Sequence, residues 1–394
     1  MPADDRAGRV PDLSRHEGSG PPGMSGDELE FRPAEQLAAQ LRERIRSEGP
    51  LPVSVFMAEA LLDPMAGFYA IKDPLSAGGD FITAPEISQM FGELAGLWAA
   101  EVWSQMGAPD PVQLIELGPG TGRMMSDVLR AARAAPGFLD AASLHLIEAS
   151  AALKMVQART LAHAPLQARW ESGLDKVPAG PSIIMGNEYL DCLPIRQAVR
   201  HKGVWRERVV GLDRHAPDRF IFGLGPQLSD ADINEIAPAL RDAEDGTLVE
   251  LRLSDATVID QIAKRFKTHP GYALFIDYGS DAPEAGDTLQ ALKAHQKVDP
   301  LEAPGTADLT AWVDFDRIAR LARNAGLDVY GIGRQGDFLK GLGIETRAAA
   351  LARTQNEAGQ AKIARQLHRL TAREEMGTLF KVTALCSPGL PPAP

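Results

Sequence analysis

The sequence predicts an α/β protein built on a parallel, doubly wound sheet. From residue 112 onwards, short apolar runs alternate with segments of helical periodicity. A glycine-rich turn joins the first of these runs to the helix after it, and the last runs favour an antiparallel finish to the sheet. Strand and helix alternation of this kind is typical of parallel sheets with right-handed crossovers. We therefore expect one central sheet with helices between its strands.

The composition is that of a globular protein. The chain has 394 residues, of which 44% are hydrophobic and 24% are charged, which excludes a fibrous or largely disordered body. No run approaches the roughly 20 apolar residues that span a bilayer, and the first residues lack the order of a secretory signal. We therefore expect a cytoplasmic protein without membrane insertion.

Charge and cysteine content narrow the classes of ligand. The formal net charge of -12 opposes sequence-independent binding of nucleic acid, because neutralising phosphates needs an excess of Lys and Arg. The two cysteines, Cys192 and Cys386, cannot form a disulfide framework or supply a Cys-x-x-Cys metal site. We expect neither nucleic acid nor a bound metal.

The N-terminal part is predicted to be helical after a disordered leader. Residues 1–26 are rich in Gly, Pro, Asp and Arg, so burial cannot offset the entropy of ordering them. Helical spacing then appears from Glu35 to Ser47 and from Val53 to Leu62, and a third helix with a broad apolar stripe follows Pro85. We assign residues 27–110 to an N-terminal helical region.

This region also contains a candidate lid. Asp80 and Thr83 follow two glycines and combine a carboxylate with a hydroxyl just before the third helix. Their spacing fits a lid over the cofactor, in which both residues bind it, and it fits the plain start of a helix equally well. We carry both residues as candidates for cofactor binding.

The rest of the chain divides into three predicted parts. Residues 111–195 form the first part of the cofactor-binding domain and residues 269–394 its remainder. Residues 196–268 form an inserted β element, because runs such as RQAVRH, WRERVVGL and RFIFGL have the alternation of antiparallel strands. The apolar runs assigned to the central sheet are VQLIEL, SLHLIEA, QARW, SIIMG, YALFIDYG, DVYGIGRQ and TLFKVTALC. We expect the inserted element to cover the ligand edge of this sheet.

A glycine-rich turn follows the first apolar run. It reads ELGPGTG, and Gly118, Gly120 and Gly122 allow a tight turn and the close approach of a ligand to the backbone. Unpaired N–H groups at the start of the following helix favour a nucleotide-like ligand. A turn of this spacing can also join strand to helix and bind nothing, so the neighbouring residues decide between the two interpretations.

Two acidic residues favour an adenosyl cofactor. Glu148 ends the second apolar run, where a carboxylate accepts hydrogen bonds from ribose hydroxyls, and this suits either NAD or S-adenosylmethionine. Glu116 suits the sulfonium and amino groups of S-adenosylmethionine, whereas a pyrophosphate would be repelled. The Gly-x-Gly-x-Gly spacing and the late strands agree. We predict S-adenosylmethionine, bound by the three glycines and these two acids.

A polar cluster follows the apolar run SIIMG. Asn187, Glu188 and Asp191 lie just beyond it, and the carboxyl ends of parallel strands form the ligand side of such a sheet. If a helical turn begins at Asn187, the two carboxylates share a face and can grip a guanidinium. We predict that these three residues are catalytic. In a structural alternative, Asn187 caps a helix, Glu188 complements its dipole and Asp191 is solvated.

Three further residues have no assigned role. Asp277 ends another apolar run, but a turn residue before glycine explains it equally well. His295 and Trp312 lie in a segment rich in Pro, Asp and Gly, whose length favours a functional loop only slightly.

Five blocks in this order resemble the MidA family, the mitochondrial complex I assembly-factor methyltransferases and their bacterial relatives. The blocks are GDFITAPEISQMFGELAGLW, ELGPGTG, NEYLDCLP, IDYG and PGTADLTAWVDF. The resemblance implies a class I S-adenosylmethionine-dependent methyltransferase fold, which is a Rossmann-like seven-stranded sheet with an N-terminal helical extension and an inserted β element. The family's cofactor loop, ribose acid and post-strand motif fall on Gly118, Gly120, Gly122, Glu148, Asn187, Glu188 and Asp191.

The leading hypothesis is therefore a protein arginine N-methyltransferase. The resemblance implies symmetric dimethylation of an arginine on a complex I core subunit, although the partner protein could differ here. Asn187 and Glu188 are placed at the methyl-transfer centre, and Asp191 is a second guanidinium clamp. Two alternatives stay open: an NAD-dependent oxidoreductase, and a non-catalytic assembly chaperone that keeps the cofactor fold to hold a partner.

Overall fold

The computed structural model of the protein describes residues 26–71, 83–294 and 296–394. Most of the predicted leader, the candidate Asp80 and His295 lie outside these ranges. The strands, in chain order, are β1 (Leu51–Pro52), β2 (Val112–Leu117), β3 (Ala142–Ile147), β4 (Arg169–Glu171), β5 (Ser182–Asn187), β6 (Arg196–His201), β7 (Val204–Leu212), β8 (Phe220–Gln227), β9 (Leu248–Leu251), β10 (Gly271–Ser280), β11 (Gln290–Lys293), β12 (Gln296–Val298), β13 (Asp308–Thr310), β14 (Val313–Asp314), β15 (Asp328–Arg334) and β16 (Phe380–Cys386).

The helices lie between these strands and at the N-terminal side of the sheet. In chain order they are α1 (Gly26–Glu48), α2 (Val53–Leu62), α3 (Phe68–Ile71), α4 (Ala84–Ile87), α5 (Gln89–Gln105), α6 (Arg123–Ala132), α7 (Phe138–Ala141), α8 (Ala151–Thr160), α9 (Asp230–Glu235), α10 (Leu253–Phe266), α11 (Phe315–Asn324), α12 (Gln335–Gly341), α13 (Ile344–Ala352), α14 (Glu357–Thr371) and α15 (Met376–Leu379). Within the described ranges, no helix is both long and apolar enough to cross a bilayer.

The central sheet confirms the predicted α/β fold. Its strands follow the order β4-β3-β2-β5-β10-β16-β15, a path of seven, and the short β14 adds to the end of β10. The pairs among β4, β3, β2, β5 and β10 are parallel, whereas β16 runs antiparallel to both of its neighbours. Every residue of β2 is buried, as expected for a strand covered on both faces.

Helices cover the sheet on two faces. On one face, α5 and α6 pack with the C-terminal helices in a core that includes Trp98, Val128 and Leu339. On the other face, α10 and α11 pack through residues such as Ile262 and Ile318. The apolar stripe that the sequence shows after Pro85 is the buried face of α5, which explains its width.

The inserted strands form a second sheet, as predicted. They pair antiparallel in the order β1-β7-β6-β9, with β8 on the other edge of β7. One strand, β1, comes from the N-terminal region and was not predicted, since two residues are too short to show a period. Residues of α1, α2, β7 and β8 share one apolar core, exemplified by Leu41, Phe56 and Phe220.

The segment that contains Trp312, which is interpreted as a loop from its sequence, includes short strands. β11 pairs antiparallel with both β12 and β13, which makes a small three-stranded sheet. Strands of three or four residues give no usable periodicity, so the sequence shows only the turns between them. Leu309 of β13 joins the core of the N-terminal helices.

The five-part division of the chain remains a proposal. One observation bears on the boundary proposed at residue 268. Helix α10 lies within the range 196–268, yet its residues Ile259 and Phe266 pack in the core beneath β5 and β10.

Candidate active site

The carboxyl ends of β2, β3 and β5 border a cavity of about 280 Å³. Parallel strands bring these ends to one edge, which is the ligand side of an open α/β sheet. The predicted site residues that line the cavity are Thr83, Glu116, Gly118, Gly120, Glu148, Asn187, Glu188 and Asp191. The tertiary structure thus brings together the cofactor and catalytic candidates that the described ranges include, apart from Gly122.

The glycine turn has the backbone that its sequence predicts. Gly118, Gly120 and Gly122 have φ values of 60°, 54° and 79°, which other residues rarely adopt. A Cβ atom at Gly118 would lie 2.9 Å from Cδ2 of Tyr189, which is too close for an unstrained contact. Gly122 does not line the cavity but precedes the first residue of α6, so this helix begins at the turn. Its N-terminal amides are available to a ligand.

Glu116 is a buried carboxylate at the end of β2. Only 2% of the residue is exposed, and its Oε2 has no hydrogen-bond partner among the described residues. Burial, reinforced by the negative charge of Glu148, raises its pKa well above the usual value. A group in this state is stabilised by a cation, because an opposite charge restores the ionised form.

Glu148 is held firmly at the end of β3. Its Oε1 accepts from the backbone N–H of Ser150 at 2.8 Å and its Oε2 accepts from Nε2 of Gln157 at 2.9 Å. Gln157 also donates to the carbonyl of Gly120 at 2.8 Å, so the carboxylate and the glycine turn are fixed to each other. Each carboxylate oxygen can accept more than one hydrogen bond, so Glu148 can also accept from a ribose hydroxyl.

No helical turn begins at Asn187, so Glu188 and Asp191 do not share a helical face. β5 ends at Asn187, Glu188 adopts a φ of 48°, and the following residues form a bend. The cause is Asp277, whose Oδ2 accepts from the backbone N–H groups of Tyr189, Leu190 and Asp191 at 3.0 to 3.2 Å. A carboxyl group from the neighbouring strand therefore satisfies these backbone N–H groups, which need no hydrogen bonds within a helix.

A buried arginine holds the same bend from the other side. The guanidinium of Arg252 donates to the carbonyl of Leu190 and, at 3.1 Å, to the carbonyl of Trp312. Asp255 pairs with Arg252 at 2.9 Å, and both side chains are buried. Asp255 holds the guanidinium where it binds the two carbonyls, and this stabilises the bend. Removing one partner of such a pair would leave an uncompensated buried charge. Trp312 takes part through its backbone, and 36% of the residue is exposed.

Glu188 presents one oxygen to the protein and one to the cavity. Its Oε1 accepts from the backbone N–H of Ala84 at 3.0 Å and from Nδ2 of Asn187 at 3.1 Å. Its Oε2 has no partner in the described part of the chain. Burial raises the pKa of Glu188 to about 8, and the nearby charges of Asp191 and Asp308 contribute to the rise.

Two more acceptors beside Glu188 have no hydrogen-bond partner within the described ranges. These are Oδ1 of Asn187 and Oδ1 of Asp191, and both residues line the cavity. Only 3% of Asp191 is exposed, and burial raises its pKa to about 6. The Tyr278 hydroxyl, which also lacks a close partner, interacts with Asp191 and opposes the rise of its pKa. Buried polar atoms normally have partners, so the acceptors on Asn187 and Glu188 beside Asp191 indicate a ligand with hydrogen-bond donors.

The N-terminal region closes the other side of the cavity. Tyr69 of α3 and Thr83 line it, and Glu86 of α4 accepts from the Thr121 hydroxyl at 2.5 Å. Asp308 of the small sheet lines it as well. No residue of β6 to β9 is among the described lining residues, so these strands do not border the cavity as expected. Residues of β7 and β8 instead pack in one core with α1 and α2.

Sequence reasoning did not identify Tyr69, Glu86 or Asp308. Tyr69 and Glu86 lie in short helices whose direction depends on packing. Asp308 begins β13 of the small sheet, which the sequence does not reveal.

Comparison with known proteins identifies the family. Residues 94–333 match a family of S-adenosyl-L-methionine-dependent methyltransferases. The chain belongs to this methyltransferase family. The match covers most of the central sheet, though not β16, and the cavity-lining residues from Glu116 to Asp308. It confirms the predicted cofactor.

Curated relatives extend the likeness over most of the chain. "Protein arginine methyltransferase NDUFAF7, mitochondrial" of Danio rerio is 35% identical and aligns over 88% of this chain and 85% of its own length. The protein of the same name from Homo sapiens is 34% identical over 92% of this chain and 86% of its own length. These names agree with the family resemblance found in the sequence.

A solved structure agrees in fold. A methyl transferase superfamily member from Burkholderia thailandensis, bound to S-adenosyl-homocysteine, is 28% identical. It superposes with a TM-score of 0.79 and covers 93% of this chain and 95% of its own.

One expectation from the sequence is overturned. The curated relatives of this methyltransferase are named as mitochondrial proteins, which contradicts the predicted cytoplasmic location. Mitochondrial and cytoplasmic proteins can have the same overall composition, and neither class carries an apolar secretory signal. These features therefore could not distinguish the two compartments.

Proposed function

We propose that this methyltransferase modifies arginine side chains of a partner protein, with Asn187, Glu188 and Asp191 at the site of transfer. The observation that carries the proposal is the pair of buried acceptors without donors, Oδ1 of Asn187 and Oε2 of Glu188, beside the buried carboxyl group of Asp191. A guanidinium offers five planar N–H donors and no acceptor, so it complements this group. The names of the curated relatives support the same substrate class.

The cofactor side of the cavity fits S-adenosylmethionine. We propose that Glu116 accepts its cationic group, that Glu148 accepts from its ribose, and that Gly118, Gly120 and Gly122 let it approach the backbone. When bound, the cofactor supplies a methyl group activated by the sulfonium. Thr83 faces the same cavity, and Asp80 stays a proposal drawn from the sequence alone.

The carboxylates can orient the target nitrogen and take up its proton. As the nitrogen forms its bond to the methyl carbon, the bond from that carbon to sulfur breaks and the nitrogen releases one proton. Glu188, with a pKa of about 8, is suited to receive this proton near neutral pH. Asn187 fixes the carboxylate through its 3.1 Å hydrogen bond. Holding both reactants in line accounts for much of the rate.

The finer identity of the substrate is also a proposal. The family resemblance implies symmetric dimethylation of an arginine on a complex I core subunit, and we carry this forward as the target to be tested. We further propose that residues 196–268 bind the partner protein, since this sheet lies outside the cofactor cavity and adds a separate surface.

Mass mapping of methylated arginine tests the proposal. We would incubate the protein with isotopically labelled S-adenosylmethionine and an extract from cells that lack this gene. Labelled dimethylarginine on one or a few proteins is the expected result. If calorimetry shows binding of S-adenosylmethionine but no arginine acquires the label, the non-catalytic chaperone becomes the better explanation. Binding of NAD in place of S-adenosylmethionine would favour the oxidoreductase.

A further inference from the structure

The amino-acid part of S-adenosylmethionine carries charged groups that the partners named so far do not all serve. The cofactor has a sulfonium, an ammonium and a carboxylate, so Glu116 is one acid for two cationic groups, and the carboxylate has no side-chain partner. Two further charged residues line the cavity, Glu86 of α4 and Arg123 of α6. Their charges are opposite, which is the complement of an ammonium and a carboxylate on one carbon.

Glu86 is held beside the glycine turn and can still accept from a ligand. Its Oε1 accepts from the Thr121 hydroxyl at 2.5 Å. Two residues earlier, the backbone N–H of Ala84 donates to Oε1 of Glu188 at 3.0 Å, so α4 is also fixed to the proposed transfer site. Within the described ranges, Glu86 takes part in no ion pair. A carboxylate accepts several hydrogen bonds, so Glu86 keeps both its charge and acceptor capacity for an ammonium.

Arg123 lies at the start of α6 and its charge is weakly paired. It is the first residue of this helix, and 53% of its side chain is exposed. Its Nε lies 3.8 Å from Oδ2 of Asp127, which is beyond hydrogen-bond distance, whereas Oδ1 of Asp127 pairs with Arg130 at 2.7 Å. The Arg123 guanidinium therefore makes no hydrogen bond with a described residue. The amides in the first turn of α6 favour an anion at the same place.

Both charged residues adjoin Thr121, because Glu86 accepts from its hydroxyl and Arg123 follows it by two positions. In the described part of the chain, no ion pair joins Glu86 to Arg123, so neither charge neutralises the other. We propose that Glu86 accepts from the ammonium of the cofactor and that Arg123 donates to its carboxylate. Together they select a cofactor with an intact amino-acid part, while Glu116 is left to the sulfonium. The inference concerns the cofactor and does not depend on the proposed arginine substrate.

Three ligands test this assignment. Calorimetry would measure binding of S-adenosylhomocysteine, of its deaminated analogue and of its decarboxylated analogue to the full chain. Glu86→Gln should weaken S-adenosylhomocysteine by at least about ten-fold, the effect of one charge-assisted hydrogen bond. Arg123→Gln should weaken it by about five-fold, because this side chain is more exposed. Each loss should vanish with the analogue that lacks the partner group. Glu86→Gln should bind the deaminated analogue, and Arg123→Gln the decarboxylated one, at least as tightly as wild type does.

Matched controls separate contact from a change in overall charge. Glu101→Gln on α5 and Arg133→Gln after α6 are exposed changes of the same types and should leave all three affinities unchanged. The glutamine in Glu86→Gln keeps an oxygen that can accept from Thr121, and thermal unfolding would verify that both variants are folded.

Two results would overturn the assignment. One is wild-type affinity for S-adenosylhomocysteine in both variants, which would place the amino-acid part of the cofactor elsewhere. The other is an equal loss for S-adenosylhomocysteine and for the analogue without the partner group, which would show that the residue acts only through the shape of the site. Failure of the proposed function would appear separately, as a wild-type protein that binds the cofactor and labels no arginine.

Discussion

Replacing Glu188 by glutamine separates its chemical role from its effect on stability. Glutamine keeps an Oε1 that can accept from Ala84 and Asn187, and its amide nitrogen takes the place of Oε2, which has no partner in the described structure. The local contacts should therefore persist while the charge is lost. We expect methyl transfer to fall by about two orders of magnitude or more, because an amide cannot accept the proton. Cofactor affinity should stay within a few-fold.

The magnitude of the stability effect follows from the pKa of Glu188. This pKa is about 8 in the folded protein, compared with the ordinary value of 4.5. Between these two pH values the folded state keeps a proton that the unfolded state has lost, so the wild-type protein loses stability as pH rises. The maximal slope is about 1.4 kcal/mol per pH unit, and it falls towards both pKa values, so the change between roughly pH 5 and pH 8 is about 3.5 kcal/mol. The glutamine of Glu188→Gln does not titrate, so the unfolding free energy of the variant relative to wild type should increase by the same amount as pH rises.

Urea unfolding of both proteins without cofactor, repeated across this pH range, measures the difference. Titrating groups that do not interact with Glu188 are common to the two proteins and cancel in the comparison. A difference in unfolding free energy that does not change with pH would show that the carboxylate is not desolvated as described. In wild type, kcat/KM should also rise with pH up to about 8, because the ionised carboxylate is the active form, and this rise should be missing from any residual activity of the variant.

Three other predictions address the surrounding structure. Gly118→Ala should weaken binding of S-adenosylhomocysteine by at least about ten-fold in calorimetry, since its Cβ would meet the Tyr189 ring at a φ of 60°; unchanged affinity would contradict the tight turn. Asp277→Asn replaces the carboxyl group that holds three backbone amides and should lower kcat at least about ten-fold while the affinity for S-adenosylhomocysteine persists, and a wild-type kcat would show that the bend does not depend on this group. Replacing residues 213–218, in the turn between β7 and β8, by two glycines should raise KM for the protein substrate alone; a wild-type KM would place the docking surface elsewhere.

The location of the site was predictable from the sequence, whereas its conformation was not. Asn187, Glu188 and Asp191 follow an apolar run, and parallel strands place such residues at the ligand edge regardless of detail. A helical turn, which would place the two carboxylates on one face, does not form there, and Asp277, 86 to 88 positions further along, accepts from the backbone amides of the bend. No local pattern reports a partner at that separation.

The same distinction applies to the residues that surround the site. The tie between Tyr69 and Asp308 joins positions 239 residues apart. It depends on the N-terminal helices sharing a core with a small sheet made of very short strands. Short strands leave no periodicity, so neither this sheet nor its carboxylate could be assigned from the sequence.

By itself, the sequence determined the class of fold, the glycine turn and the identity of the acidic groups, because these depend on local backbone preference, on alternation of apolar residues and on residue chemistry. Only the tertiary structure decided which acceptors lie in one cavity, which of them lack donors and how far burial raises the pKa of Glu188. Desolvation and hydrogen bonding between distant segments control those properties, and both arise only when the chain has folded.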